Sequence, residues 1–186
     1  MPGPTSAFLI IDVINPFDFE GASALLRETR GIVPTLHRLL ERTRAAGIPV
    51  IYCNDNFGRW RSDFRGNVEY CAREDGEGAD VVRALLPAES DYFILKPKHS
   101  AFFETPLRLL LNQLGTQRLL LAGIATDSCI LSTGLDAYMR EFEVTVAHDA
   151  VAAQSAERSR EALEVLASGR GIHIRDAQAS LDWLVA

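Results

Sequence analysis

Six short apolar runs punctuate the chain: "AFLIIDV" (7–13), "IPVIYC" (48–53), "DYFIL" (91–95), "RLLLAG" (118–123), "EVTVAH" (143–148) and "GIHI" (171–174). The first and fourth are nearly continuous in apolar character instead of alternating with polar residues. Strands buried on both faces read this way, and parallel sheets bury both faces. Segments with helical spacing lie between the runs. In "VPTLHRLLERTRAAG", Leu36, Leu39, Leu40 and Thr43 fall on one face, with Pro34 near the start and Gly47 just past the end. Proline early and glycine late is the polarity of a helix. "ETPLRLLLNQLG" repeats it, with Thr105 as N-cap, Pro106 at the first position and Gly115 closing. "SAERSREALEVLASG" predicts a third helix ending at Gly169, and "DAQASLDWLV" predicts a last one.

Strand then helix, repeated, predicts right-handed βαβ units. The fold class is α/β: a three-layer α/β/α sandwich around a six-stranded, mainly parallel sheet. A length of 186 residues suits one domain spanning 1–186, and 47% hydrophobic with 24% charged residues is an ordinary globular mixture. The sequence holds no repeat or low-complexity segment. Its one long irregular stretch, 54–79, carries aromatics and arginines and ends in an acidic, glycine-rich patch. Connections of that length are more often functional than idle.

A net charge of −6 without a basic stripe argues against nucleic acid or an anionic membrane as partner. The opening "MPGPTSAFLIIDV" has no basic residue before a short apolar run, so it reads as neither signal peptide nor membrane span. Cys53, Cys71 and Cys129 show no CxxC spacing, and a reduced, cytoplasmic compartment is expected. The segment after the first run, "DVINPFDFEG", contains neither GxGxxG nor GxxxxGK[ST], which weighs against a nucleotide-binding module.

Sites in a doubly wound sheet form outside the carboxyl ends of its strands. The first predicted strand ends at Asp12, the third at Lys96, and the fourth leads through "GIATDSCI" to Cys129. A carboxylate, an ammonium and a thiol in one crevice make a coherent set. A thiol, mostly protonated at neutral pH, becomes a nucleophile if a base takes its proton or a cation stabilises the thiolate. Asp12 suits the first role and Lys96 the second, and a helix starting near Cys129 favours the thiolate further. Each residue also has a plainer role open to it: a turn carboxylate, a snorkelling surface lysine, an inert buried thiol. A redox thiol protein is a further reading of Cys129, though no resolving cysteine is evident.

Three segments together resemble the isochorismatase-like cysteine hydrolases, a group with nicotinamidases, N-carbamoylsarcosine amidase, ureidoacrylate amidase and biuret hydrolase among its members. They are "LIIDVINPFDF", "LKPKHSAFFETPL" and "LAGIATDSCILSTGLDAYMREFEVTVAHDA", spanning residues 8 to 150. The resemblance implies the isochorismatase-like, Rossmann-like strand order and a catalytic set of Asp12, Lys96 and Cys129. Lys96, not Lys98, matches because it stands four residues before Ser100. It also implies a cis peptide between Ile124 and Ala125 and an oxyanion hole made of the Ala125 and Cys129 N–H groups. The implied activity is cleavage of a C–N bond in a small amide, ureide or carbamoyl compound through a thioester. The branch that hydrolyses the vinyl ether of isochorismate typically lacks the nucleophilic cysteine, so Cys129 favours amide-type chemistry over that alternative. A small-molecule substrate and a homodimer or homotetramer are the expected partners.

The sequence departs from many members at "DVINPF", where Ile14 replaces Gln and Pro16 replaces a second Asp. Phe17, Phe57, Trp60 and Phe102 are expected to wall the pocket, and each suits a core position equally well. Arg61, with Arg59, flanks Trp60 and suits a substrate carboxylate, and a plain surface position equally well. Nicotinamidases of the family hold a divalent ion with an Asp, a His two residues later and further histidines. Here Asp55 is followed by Phe57 at that spacing, and His37, His99, His148 and His173 show no ligand pairing. The expectation is an enzyme with no metal or other cofactor that is not a nicotinamidase.

Overall fold

The computed structural model describes residues 5–168 and 171–186. Its strands are β1 (Thr5–Ile11), β2 (Val50–Asp55), β3 (Tyr92–Lys96), β4 (Thr116–Ile124), β5 (Glu143–Ala152) and β6 (Ile172–Arg175). Its helices are α1 (Ala22–Ala45), α2 (Phe64–Cys71), α3 (Ala79–Ala84), α4 (Leu107–Gln113), α5 (Leu131–Met139), α6 (Ala156–Ser168) and α7 (Ala177–Val185). The strands form one sheet in the order β3-β2-β1-β4-β5-β6, with every pairing parallel.

Side chains alternate across a strand, so a strand covered on both faces needs apolar residues at every position. In β1, Phe8 and Ile10 join Leu36, Leu39 and Leu40 of α1 and Leu181 and Leu184 of α7. Ala7, Leu9 and Ile11 point the other way, toward Leu107 and Leu111 of α4, Ala137 of α5 and Leu166 of α6. The continuous apolar run of β1 is the signature of this two-sided burial. Helices on both faces of an all-parallel sheet give the three layers.

Three local expectations need correction. α1 begins at Ala22, well before Pro34, which sits inside the helix instead of at its start. Proline there forgoes one backbone hydrogen bond, but the residues ahead of it bury Ala22, Leu25, Leu26 and Thr29. That burial holds the extra turns, and a cap rule based on proline alone misses it. The stretch 54–79 is likewise not wholly irregular: it contains α2 and runs into α3, with Asp63 capping α2 by accepting from Gly66 N at 2.8 Å. The predicted end of the third helix, Gly169, lies outside the described residues. Pro106 stands at the N-cap position of α4, one residue earlier than expected, and Thr105 Oγ1 accepts from Leu107 N at 3.3 Å. Among the described residues no helix is long and apolar enough to cross a membrane.

Strand order reverses at β1. The chain moves outward from β1 through β2 to β3, then returns to place β4 on the other side of β1. Connections on the two sides of such a point diverge and leave a crevice at the strands' carboxyl ends. The two strands approach closely there. Gly123 of β4 has φ +117°, and a Cβ at that position would fall 2.2 Å from the Ile11 carbonyl oxygen. Only glycine fits this contact, and it brings the chain after β4 next to the end of β1.

Candidate active site

Asp12 follows the last residue of β1 with a positive φ of 54°. Two backbone contacts hold it: its N–H donates to the Cys53 carbonyl at 3.0 Å, and its Oδ1 accepts from Asp55 N at 2.7 Å. Lys96 ends β3, two strands away, and its side chain is fully buried. Its Nζ lies 2.7 Å from Asp12 Oδ2, 3.3 Å from Cys129 Sγ and 3.3 Å from the Lys98 carbonyl oxygen. Three acceptors match the three donors of an ammonium, which is what allows the charge to be buried. Lys98 contributes only that carbonyl, and its own side chain is exposed.

Cys129 arrives from the far side of the switch point. The Ile124–Ala125 peptide bond is cis, and a single π turn, Thr126–Ile130, leads into α5. Thr126 is buried and shares a 3.0 Å hydrogen bond with Ser159 of α6, which anchors the turn. The thiol keeps 8% exposure. On its solvent side, His99 Nδ1 lies 3.8 Å from Sγ and 3.0 Å from Ser128 Oγ.

Burial pushes the Cys129 thiol up to about 12, and the Asp12 carboxylate beside it adds to the effect more than Lys96 relieves it. Burial also raises Asp12 above 3.8, although Lys96 and the hydrogen bonds to it pull the other way. Lys96 loses solvation too, yet the attraction of Asp12 and Cys129 outweighs that loss and raises it. The two members of the ion pair therefore both shift upward, and the protonation state they support is an ammonium, a carboxylate of enhanced basicity and a neutral thiol. A cation at 3.3 Å and a helix start do not suffice to hold a thiolate here, contrary to the sequence-based expectation, because burial and the neighbouring Asp12 carboxylate both oppose it.

This arrangement predicts a specific titration. The thiolate absorbance near 240 nm, taken as wild type minus Cys129→Ala, should stay flat between about pH 6 and about pH 9. A step in that range would show a thiolate formed in the resting enzyme.

Asp12 and Cys129 open onto a cleft of about 400 Å³, with Lys96 fully buried behind them. Phe57 lines it together with Asp12 and Cys129, as do Ala125, Asn15, Phe19, Asp55, His99, Asp127, Gln154 and Arg158. The other residues expected at the pocket lie elsewhere. Phe17 is in the core, its ring against Gly78, where a Cβ would come within 2.2 Å. Phe102 is buried on the opposite face of the sheet, 5.8 Å between ring centroids from Phe142. Trp60 is 78% exposed, and with Arg61 it borders a separate surface depression. Arg59 lies over the Tyr70 ring at 4.0 Å. Sequence reasoning missed Phe19, Gln154 and Arg158 altogether. Arg158 sits early in α6 and pairs with Asp127 at 2.5 Å, a contact across 31 positions that no local pattern announces.

Comparison with known proteins fits this geometry. A model of the Isochorismatase domain matches residues 6–179. The chain belongs to the isochorismatase family. The uncharacterized isochorismatase family protein YaaI of Bacillus subtilis is 39% identical over 160 residues, covering 86% of this chain and 87% of that protein. Ureidoacrylate amidohydrolase RutB of Klebsiella pneumoniae is 26% identical over 173 residues, covering 78% of this chain and 72% of its own. The isochorismatase family protein of Desulfovibrio vulgaris has a solved structure that superposes with a TM-score of 0.79 at 27% identity, covering 99% of this chain and all of the other.

A metal of the nicotinamidase type finds a poor donor set in this family member. Asp55 and His99 both line the cleft, but Phe57 occupies the position two after Asp55. Among the described residues no three His, Cys, Asp or Glu side chains are grouped to hold an ion. A catalytic ion needs about three protein ligands and one open position. Prolonged dialysis against a chelator should therefore leave activity unchanged. Loss of activity that zinc, iron or manganese restores, with near-stoichiometric metal in the untreated protein, would reverse this conclusion.

Proposed function

We propose that this protein is a cysteine hydrolase that cleaves a C–N bond of a small amide, ureide or carbamoyl compound through a thioester. The observation that carries the reading is the position of Lys96 Nζ, bridging Asp12 Oδ2 and Cys129 Sγ at the floor of an open cleft. One cation holds base and nucleophile together.

Asp12 takes the Sγ proton as sulfur attacks the carbonyl carbon. The carbonyl electron pair moves to oxygen, and the N–H groups of Ala125 and Cys129 hold the resulting oxyanion. When the oxyanion collapses, the C–N bond breaks and Asp12 returns its proton to the leaving nitrogen. A water then gives a proton to Asp12 and attacks the thioester. The C–S bond breaks, the sulfur recovers the proton from Asp12, and an acid leaves, or a carbamic acid when the substrate is a ureide. Roles are divided as in a Ser-His-Asp hydrolase, with Asp12 as base and Lys96 as the orienting group.

The raised basicity of Asp12 suits this scheme, because a carboxylate of ordinary strength is a feeble acceptor for a thiol proton. The same electrostatics disfavour a redox-sensing role, which calls for a low-pKa, exposed thiol. Vinyl ether hydrolysis does not require a nucleophilic sulfur at this position. A homodimer or homotetramer in a reducing, cytoplasmic setting completes the proposal. The test is a panel of small amides and ureides assayed for ammonia release. Turnover of at least one of them supports the reading, and inertness toward all, with turnover of a vinyl ether, refutes it.

A further inference from the structure

The cleft contains two acidic side chains that the reaction scheme leaves unused, Asp55 and Asp127. Asp55 is the last residue of β2 and lies beside Asp12, whose Oδ1 accepts its backbone N–H at 2.7 Å. Its own Oδ1 is engaged by Phe57 N at 2.6 Å. Among the described residues, Oδ2 has no hydrogen-bond partner and no basic side chain lies within 4.0 Å of the carboxylate. Each other carboxylate at the cleft is paired: Asp12 with Lys96 at 2.7 Å and Asp127 with Arg158 at 2.5 Å. Three carboxylates thus share two cations: Lys96 attracts Asp55 as well as Asp12, but Asp55 has no close ion pair of its own among the described residues.

We infer that Asp55 is a specificity-determining residue that accepts a hydrogen bond from the leaving nitrogen, so the substrate is an uncharged primary amide or ureide and not a carboxylate-bearing one. The inference rests on the proposed hydrolysis, in which Asp12 protonates the leaving nitrogen. That nitrogen must stand against Asp12 and so within reach of its neighbour Asp55. An –NH₂ leaving group can turn its lone pair to Asp12 and still donate a hydrogen to Asp55, which a fully substituted nitrogen cannot. A carboxylate on the substrate would face the negative charge of Asp55 at close range, where like charges repel. A site built to satisfy a donor discriminates against ligands lacking it more sharply than an apolar wall does.

The experiment compares malonamide with its half-acid malonamate, in wild type and in Asp55→Asn. Asparagine keeps the Oδ1 contact to Phe57 N and presents an –NH₂ donor where the free oxygen was. Wild type should favour malonamide in kcat/KM by at least about tenfold. In Asp55→Asn both substrates lose the acceptor for their leaving –NH₂, but malonamate is also freed from the repulsion, so malonamide should lose more and the ratio should fall below about threefold, with an unchanged thermal melt. A wild-type preference for malonamate, or equal losses on both substrates in the variant, overturns the inference, while the ammonia released still upholds the hydrolase. Dependence on a divalent ion that disappears in Asp55→Asn also overturns it, because the carboxylate would then be a ligand. If neither compound nor any other amide is hydrolysed, the proposed function fails and this inference with it.

Discussion

Cys129→Ala is expected to lower kcat/KM on any accepted amide by roughly 10⁴-fold or more, with the fold intact. No other nucleophile in the cleft is bridged to Asp12 by Lys96, and residual turnover would come mainly from bound water and the oxyanion hole. The substitution removes one atom from a site that retains slight exposure, and it leaves the Lys96–Asp12 pair at 2.7 Å untouched. It does take one of the three acceptors from the buried Lys96 ammonium, so a loss of stability of about 1–3 kcal/mol is expected. Steady-state kinetics beside a thermal melt would check both statements. A control separates this thiol from the other two: Cys53 and Cys71 are free and buried, and neither lines the cleft. Their joint replacement by alanine should cost stability and spare kcat.

Asp12→Asn should remove about 10²- to 10⁴-fold of activity, the range of a positioned base. Asparagine keeps the shape but cannot accept the thiol proton. It also leaves the fully buried Lys96 ammonium without its counterion, a change that typically costs about 3–5 kcal/mol. A lower melting temperature is therefore part of the expected result. Lys96→Ala should be similarly inactive, whereas Lys98→Ala should stay near the wild-type rate because only its backbone carbonyl touches the site. If Lys98→Ala were the inactivating change and Lys96→Ala were not, the assignment would be wrong. The pH profile follows from the direction of the Asp12 shift. Its folded-state value lies above 3.8, so the carboxylate form is lost as pH falls through a point higher than for an ordinary aspartate. The acid limb of kcat/KM should accordingly lie above pH 3.8, and a limb at or below it would contradict the burial argument.

The convergence of Asp12, Lys96 and Cys129 was legible in the sequence because a strand fixes where its end residue goes. Once six apolar runs imply a parallel sheet, residues at the carboxyl ends of strands must share one edge, and the chemistry of the three groups selects them. The walls of the cleft carry no such constraint. Phe17, five positions after Asp12, turns inward because Gly78 leaves room for its ring, and nothing near position 17 records that vacancy. Trp60 and Arg61 lie in the connection between β2 and α2, where side-chain direction depends on distant packing. Arg158 reaches the cleft from α6 through its pairing with Asp127, a tertiary contact. The early turns of α1 were hidden for a different reason: a proline at position 34 mimics a helix start, and only the burial of Leu25 and Leu26 outweighs it.

The central claim is the covalent bond to Cys129. The most direct measurement is acid quench of the enzyme within its first turnovers on an accepted amide, followed by mass spectrometry of the peptide that contains Cys129. The account predicts an added mass equal to the acyl group on that cysteine, absent from Cys53 and Cys71 and absent when substrate is omitted. Ammonia release at the full rate from Cys129→Ala, with no acylated cysteine in the quenched wild type, would contradict it.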